Sequence, residues 1–255
     1  CRIWEETFEL LKKKTAEDAV IHGIRLLEDD PVFNAGTGSK IQADGKIRMS
    51  AALMDGVENR FSGVINVQNI RFPIEAAALL SKEKNTVLSA NQATDFCRKN
   101  GFDVHDPVIP SRLLEYNKKC SGLHGTVGIV ALDNKGCIFA GTSTGGIGND
   151  IPGRVSDSPT VAGTYASSKA GVSCTGIGEQ ITQQAAAAKI VTRVEDGMSL
   201  DEAVSKTMME SNHFNYSYGL ISLDAHGQIV VGKTAALSEV YYAYHNGEEI
   251  ETFYN

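Results

Sequence analysis

The chain has 255 residues, 42% of them apolar and 22% charged, a composition typical of a globular protein with a sizeable core in one large domain or two small ones. Its formal net charge is −7, and its longest basic cluster is Lys12-Lys13-Lys14, so the sequence has no electrostatic footprint for nucleic acid or an anionic membrane. No apolar run approaches the roughly 18 residues of a membrane span, and no signal peptide is recognised. These features favour a small-molecule or peptide substrate.

The cysteine and histidine spacings argue against a disulfide framework or a metal centre. The cysteines are odd in number, widely spaced and without a CxxC pair: Cys1, Cys97, Cys120, Cys137 and Cys174. HxxxH and HExxH patterns are absent. We therefore expect reduced thiols, a cytoplasmic protein and no catalytic metal.

The first half of the chain alternates helical and extended patterns. Apolar spacing predicts helices at 2–14, 19–27, 74–80 and 91–98. Strands are predicted at 41–49 and 62–68, the first of them around a turn at Asp44-Gly45. The segment 33–39 has the small-residue density of a tight loop, and 101–123 is predicted to be polar and irregular.

The second half begins with a predicted hairpin, 126–132 and 137–141, followed by a Gly, Ser and Thr-rich region at 142–178. Helices are predicted at 179–195 and 200–211, with Ser199 as N-cap. A second hairpin at 218–223 and 228–233 and a last strand at 240–244 follow. The grouping predicts α+β layers, with sheet packed on sheet and helices outside.

A linker-like stretch becomes a strand abruptly at His124-Gly125-Thr126. On position alone, this threonine is more often structural than catalytic, since Thr is common in strands. Five further segments change that balance: 33–39 (FNAGTGS), 54–56 (MDG), 142–146 (TSTGG), 152–159 (PGRVSDSP) and 174–179 (CTGIGE).

The order and spacing of these segments resemble the threonine-nucleophile asparaginase family, which includes plant-type (type III) asparaginases, isoaspartyl aminopeptidases, glycosylasparaginases and taspase. The resemblance covers nearly the whole chain. It implies a four-layer αββα sandwich of the N-terminal-nucleophile hydrolases. It also implies an α part, 1–125, and a β part, 126–255, in one structural domain, and a dimer of such αβ units.

The implied chemistry requires a cut between Gly125 and Thr126. A threonine hydroxyl is a poor nucleophile and needs an adjacent base, which an N-terminal amine on the same residue can provide. Its pKa of roughly 7.7–8.0 leaves a useful neutral fraction near physiological pH. The resemblance implies that the Thr126 hydroxyl attacks the Gly125 carbonyl to release that amine.

The resemblance also assigns roles to other residues. Thr144 is implied to be a second hydroxyl beside the nucleophile, with Thr142 close enough to support the same pocket, and Thr175 and Gly176 are implied oxyanion stabilisers. The substrate-binding residues implied are Arg154, Asp157, Gly178 and Asn34. Arg suits an α-carboxylate and Asp an α-ammonium. The loop near Phe33 is implied to hold a structural sodium ion through backbone carbonyls, with no cofactor for catalysis.

Several departures from the family pattern bear on these expectations. Ser50 and Ser167 stand where acidic residues are frequent, which affects substrate fit or packing more than reaction class. The upstream strand and HGG-type motif are missing from the sequence as given, and the linker before Gly125 is short. His124 precedes the expected cut and is a weaker candidate for assisting it.

The segment 144–146 is typical of the branch that acts on L-asparagine and β-aspartyl dipeptides, and we expect that activity. Glycosylasparagine cleavage is the nearest alternative. A processing-deficient member of the family that serves as a binding or assembly protein is the alternative outside enzymes.

Overall fold

A computed structural model describes residues 2–119, 125–248 and 250–253, which form eight α-helices and eleven strands. The helices are α1 (Arg2–Leu11), α2 (Ala16–Asp29), α3 (Pro73–Leu80), α4 (Ala90–Lys99), α5 (Pro110–Asn117), α6 (Gly178–Gln184), α7 (Ala186–Glu195) and α8 (Leu200–His213). The strands are β1 (Met49–Asp55), β2 (Arg60–Val67), β3 (Val87–Ser89), β4 (Val127–Leu132), β5 (Ile138–Thr144), β6 (Thr164–Ala166), β7 (Ala170–Gly176), β8 (Tyr218–Asp224), β9 (Ile229–Lys233), β10 (Tyr242–His245) and β11 (Ile250–Phe253).

The first sheet has five strands in the order β3-β2-β1-β5-β4. Helices α2, α3 and α4 pack on one of its faces, because alternate residues of the central strands, such as Ala51 and Leu53, join the apolar side of α2 at Val20 and Ile24. Strands from both sides of Gly125 share this sheet: β1, β2 and β3 precede that residue, and β4 and β5 follow it.

The second sheet has four antiparallel strands in the order β6-β7-β8-β9, and α7 and α8 cover its outer face. The inner faces of the two sheets meet through β4, β5, β6, β7 and β8, with Met54, Ile138, Ala140, Ala166 and Leu223 buried between them. The arrangement is helix, sheet, sheet, helix. It confirms the predicted α+β four-layer sandwich.

The two sheets approach closely where β4 crosses β7. A Cβ added to Gly128 would lie 2.0 Å from Ser173 Oγ, so only glycine fits there. Next to it, Ser173 Oγ lies 2.7 Å from Thr142 Oγ1, and Thr142 Oγ1 lies 2.6 Å from Thr164 Oγ1. Thr164 also donates to the Ser158 carbonyl. This buried chain of hydroxyl groups ties β5, β6 and β7 together beneath the predicted site.

The prediction of a strand at 41–49 is wrong. Only its last residue is in a strand, and the rest is a loop with a turn in which the Gly45 amide donates to the Gln42 carbonyl. Ile41 and Ile47 are buried although they lie in this loop. Their apolar spacing therefore reflects burial of a loop, which periodicity cannot distinguish from burial of a strand.

Three other predictions need correction. The region 142–178 contains β6 and β7, which its Gly and Ser content hid. The predicted helix 179–195 is two helices, since Ala185 between them is left-handed with φ 51°. The segment 101–123 contains α5, which begins at Pro110 and buries none of its residues. Strands β3 and β11 were not predicted, and the strand predicted last, 240–244, is β10 and is followed by β11. Both hairpins and the N-cap at Ser199 are confirmed.

Three further observations concern the cysteines, membrane-spanning helices and metal-binding clusters. Cys97, Cys137 and Cys174 are free thiols, while Cys1, Cys120 and His124 lie outside the described residues. Across the part of the chain that the structure describes, no helix is long and apolar enough to cross a membrane. Within the same residues, no group of three or more His, Cys, Asp and Glu side chains is arranged to hold a metal ion.

Candidate active site

The register of β4 against β5 brings two predicted hydroxyl groups together. Val127 pairs with Ser143 in this antiparallel pair of strands. Thr126, the residue before Val127, therefore lies opposite Thr144, the residue after Ser143. Their Oγ1 atoms are 3.2 Å apart, and the Gly146 amide donates to Thr144 Oγ1 at 3.2 Å. That amide uses one of the two acceptor positions of Thr144, so its hydroxyl keeps one hydrogen and one lone pair, and either threonine can donate to the other.

Asn34 joins the chain before Thr126 to the chain after Thr144, and all four of its polar groups have protein partners. Its backbone amide donates to the Gly125 carbonyl at 3.1 Å, and its carbonyl accepts from the Gly145 amide at 2.8 Å. Its side chain donates to the Gly146 carbonyl at 2.5 Å and accepts from the Lys40 amide at 2.9 Å. Asn34 thus holds the carbonyl at the predicted cleavage bond, and both polar atoms of its side chain have a protein partner.

Glu28 supports the same region from behind, and the sequence analysis did not identify it. Ser143, the neighbour of Thr144, donates to Glu28 Oε1 at 2.6 Å, and the Ile74 amide donates to the same oxygen at 3.0 Å. The side chain is fully buried, and burial raises the pKa of Glu28 well above its ordinary value despite these donors. The available signal was its spacing four residues after Ile24 on the buried face of α2.

The predicted site residues converge on one cavity with a volume of about 10 Å³, which is about what a single water molecule requires. Six of them line it: Gly125, Thr126, Thr144, Arg154, Asp157 and Gly176. Gly146, Ile147 and Ser156 complete the lining. Threonine hydroxyls, a guanidinium and a carboxyl therefore surround one space, which in the uncut chain is too small for an amino acid.

Arg154, Asp157 and Gly178 form the charged side of this cavity. The Arg154 guanidinium donates to Glu179 through Nε at 2.6 Å and Nη2 at 2.9 Å. A Cβ added to Gly178 would lie 2.7 Å from Asp157 Oδ1 and 2.9 Å from Arg154 Nη2, so this glycine leaves room for both groups. Gly178 therefore allows opposite charges to meet beside the threonines.

Asp157 is buried, and its Oδ2 atom has no hydrogen-bond partner. Burial raises the pKa of Asp157 to about 7, while hydrogen bonds from the Asp157 and Ser158 amides and the Arg154 charge act in the opposite direction. The carboxyl is therefore half protonated near neutral pH, and a cationic ligand group would favour its ionised form.

The other predicted positions lie around the cavity. Thr175 is half-buried at the end of β7, next to Gly176, and Thr142 belongs to the hydroxyl chain between the sheets. Ser50 pairs with Thr144 across β1 and β5, and its hydroxyl accepts from the Asn66 amide at 3.0 Å. Ser167 accepts from the Lys169 amide at 3.1 Å. Both departures from the family pattern are thus buried serines with backbone partners.

The sequence of this chain is similar to those of known proteins. The asparaginase family matches the chain over residues 1–120 and 111–254. The isoaspartyl peptidase/L-asparaginase of Synechocystis is 45% identical over 92% of this chain and 77% of its own length. The plant-type L-asparaginase of Pyrococcus horikoshii is 35% identical over 94% of this chain and 85% of its own. The isoaspartyl peptidase of Escherichia coli is 35% identical over 86% of this chain and 75% of its own.

The contacts of Asn34 predict a large effect of removing its side chain. Asn34→Ala leaves the Gly146 carbonyl and the Lys40 amide without their partner, which is expected to cost about 2–4 kcal/mol of unfolding free energy. Urea denaturation measures this loss. The matched control is Asn91→Ala, an exposed position on α4, where we expect a change within about 0.5 kcal/mol. Equal effects of the two substitutions would contradict the role of Asn34 as a clamp.

The buried carboxyl of Asp157 is predicted to lower the stability of the folded chain by an amount that depends on pH. Below pH about 4, both the folded and the unfolded chain hold the proton. Between pH about 4 and 7, only the folded chain holds it, so stability falls as pH rises, and the cost is constant above the folded pKa of about 7. Asp157→Asn should therefore gain melting temperature relative to the native chain between pH 4 and 7. A difference that does not change with pH would disprove this account.

Proposed function

The chain belongs to the asparaginase family, and from this we propose that it is a self-cleaving amidohydrolase acting on L-asparagine and β-aspartyl dipeptides through an ester on Thr126. The observation that carries the proposal is the Thr126–Thr144 hydroxyl pair in one cavity with Arg154 and Asp157. Relatives from Synechocystis and Escherichia coli carry names that include isoaspartyl peptidase, which supports this substrate class.

In the first step, Thr126 Oγ1 attacks the Gly125 carbonyl carbon. The carbonyl oxygen takes up negative charge, and the Asn34 amide, 3.1 Å away, is placed to stabilise it. The bond between Gly125 carbon and Thr126 nitrogen breaks, the nitrogen takes up the proton that the Thr126 hydroxyl loses and leaves as an amine, and Gly125 remains as an ester on Oγ1. Water then hydrolyses the ester, which leaves a Gly125 carboxylate and a free Thr126 hydroxyl.

In the second step, the new amine is the base. It accepts the hydroxyl proton of Thr126 while Oγ1 attacks the side-chain amide carbon of the substrate, with Thr144 as hydrogen-bond partner. Ammonia leaves from asparagine, or an amino acid from a β-aspartyl dipeptide, and a β-aspartyl ester forms. Thr175 and Gly176 are the proposed stabilisers of the oxyanion, and Gly176 lines the cavity. Water releases aspartate.

Substrate binding is proposed to follow cleavage. In the uncut chain the cavity of about 10 Å³ is bounded by Gly125 itself, so a substrate needs the space that the freed Gly125 end leaves. Arg154 is then the partner of the α-carboxylate and Asp157 of the α-ammonium. The amine and hydroxyl groups supply base, acid and nucleophile, so the proposed chemistry requires no metal.

Thr126→Ala is expected to yield a single uncut chain without amidase activity, because neither the attacking hydroxyl nor the amine exists. Intact mass spectrometry of the native protein should show two fragments, one ending at Gly125 and one beginning at Thr126. Thr192→Ala, an exposed threonine on α7, is the matched control and should be cut like the native chain. Amidase activity in uncut Thr126→Ala would refute the proposal. A native chain that stays whole would favour the non-catalytic alternative.

A structural sodium ion is part of the proposal, and the loop around Phe33 has a suitable donor set. The carbonyl oxygens of Pro31 and Phe33 lie 2.6 Å and 2.8 Å from the position that a Cβ on Gly38 would occupy. Converging carbonyl groups suit a hard cation. Because Asn34 follows Phe33 directly, an ion bound there would stabilise the segment that holds Gly125.

Sodium chloride is expected to stabilise the protein by about 1–3 kcal/mol relative to choline chloride at equal ionic strength, since an ion that binds the folded chain raises its stability. Thermal denaturation in the two salts measures the difference. Gly38→Ala places a methyl group between the carbonyls and should abolish the sodium-dependent increment, whatever its effect on stability without sodium. An increment that persists in this variant would place the ion elsewhere.

Assembly as a dimer of αβ units and a cytoplasmic location complete the proposal. The family resemblance supports the first, and the widely spaced cysteines support the second. Sedimentation of the processed protein tests the assembly, since a particle with the mass of a single αβ unit would contradict it.

A further inference from the structure

Ser156 carries an unsatisfied hydroxyl in the wall of the candidate active site. Its side chain is only 8% exposed, its Oγ atom has no hydrogen-bond partner, and it lines the cavity with Thr126, Arg154 and Asp157. A buried hydroxyl without a partner is unfavourable. We propose that Ser156 determines substrate specificity by donating its hydroxyl hydrogen to the α-carboxylate of the substrate, an inference that rests on the proposed function.

The donors of Arg154 explain why a second donor is needed. Glu179 already accepts from Nε at 2.6 Å and from Nη2 at 2.9 Å, so one edge of the guanidinium is occupied. A carboxylate has two oxygens with about four acceptor sites, and Arg154 offers it only the remaining N–H groups. Ser156 lies two residues further along the same segment and lines the same cavity. Its hydroxyl supplies the additional donor.

The neighbouring carboxyl makes the α-ammonium a poorer partner for Ser156. Asp157 lines the cavity, and its carboxylate is an acceptor of the kind that an ammonium requires. The α-ammonium therefore belongs to Asp157. The Ser156 hydroxyl then donates to the α-carboxylate, which is the substrate group that needs hydrogen-bond donors.

Ser158 provides a matched control on the same segment. Its hydroxyl is also fully buried and without a partner, but the residue does not line the cavity. Ser156→Ala and Ser158→Ala each remove a buried hydroxyl without a partner, one from a residue that lines the cavity and one from a residue that does not. A general effect of losing a buried hydroxyl would appear in both variants.

The test compares KM and kcat of the processed native protein, Ser156→Ala, Ser156→Thr and Ser158→Ala. With L-asparagine, Ser156→Ala should raise KM about tenfold, the loss expected for one hydrogen bond to a charged group, with kcat nearly unchanged. Ser156→Thr keeps the hydroxyl and should restore KM in part, and Ser158→Ala should match the native protein. With succinamic acid, which lacks the α-amine but keeps the carboxylate, the same ratio of KM values is expected.

An unchanged KM in Ser156→Ala, or an equal change in Ser158→Ala, would overturn the inference while leaving the proposed function intact. Loss of the effect with succinamic acid would also overturn it, because the partner would then be the amine. If the native protein hydrolyses neither substrate, the proposed function fails, and calorimetry with L-aspartate decides the inference separately. Weaker binding of L-aspartate to Ser156→Ala than to the native chain supports it, and equal binding or no binding to either overturns it.

Discussion

The pairing of β4 with β5 is the constraint on which the rest of the site depends. In this register Thr126 faces Thr144, and their hydroxyl oxygens are 3.2 Å apart. A shift of one residue would turn every side chain of β4 to the opposite face and separate them. The register is held because β5 lies inside the sheet, buried along its whole length, with β1 on its other edge. Asn34 then ties the chain on both sides of the pair, at Gly125 and at Gly145.

The walls of the site keep polar groups unsatisfied at a cost in stability. Asp157 Oδ2 and Ser156 Oγ are buried without partners, and burial holds the pKa of Asp157 near 7. Elsewhere in the core, buried hydroxyls such as those of Thr142 and Ser173 are paired. Proteins tend to tolerate such unsatisfied groups at functional sites, where a ligand supplies the missing partners. Ser158 Oγ is also buried without a partner although Ser158 does not line the cavity, so cavity lining and the missing partner together distinguish Ser156.

The sequence predicted secondary structure correctly where the spacing of apolar residues matches the side of the element that is buried. The hairpin of β4 and β5 and that of β8 and β9 were predictable because alternating apolar residues face a core on one side. The same rule failed for 41–49, where a buried loop carries Ile41 and Ile47, and for Ala185, whose left-handed backbone follows no Gly or Pro signal. In these places tertiary contacts outweigh local preference.

By itself, the sequence determined the order of the motifs, the layered α+β class, the family resemblance and the list of residues expected at the site, because residue type and spacing carry that information. Only the tertiary structure decided which atoms meet. The hydrogen bonds of Asn34 and the contact of Glu28 with Ser143 join groups that lie far apart in the chain. The unpaired hydroxyl of Ser156 belongs to a residue type that looks the same in sequence wherever it occurs. Ser156 and Ser158 show the reason: they lie two residues apart on one segment, yet Ser156 lines the cavity and Ser158 does not, and that depends on the packing of the whole sandwich.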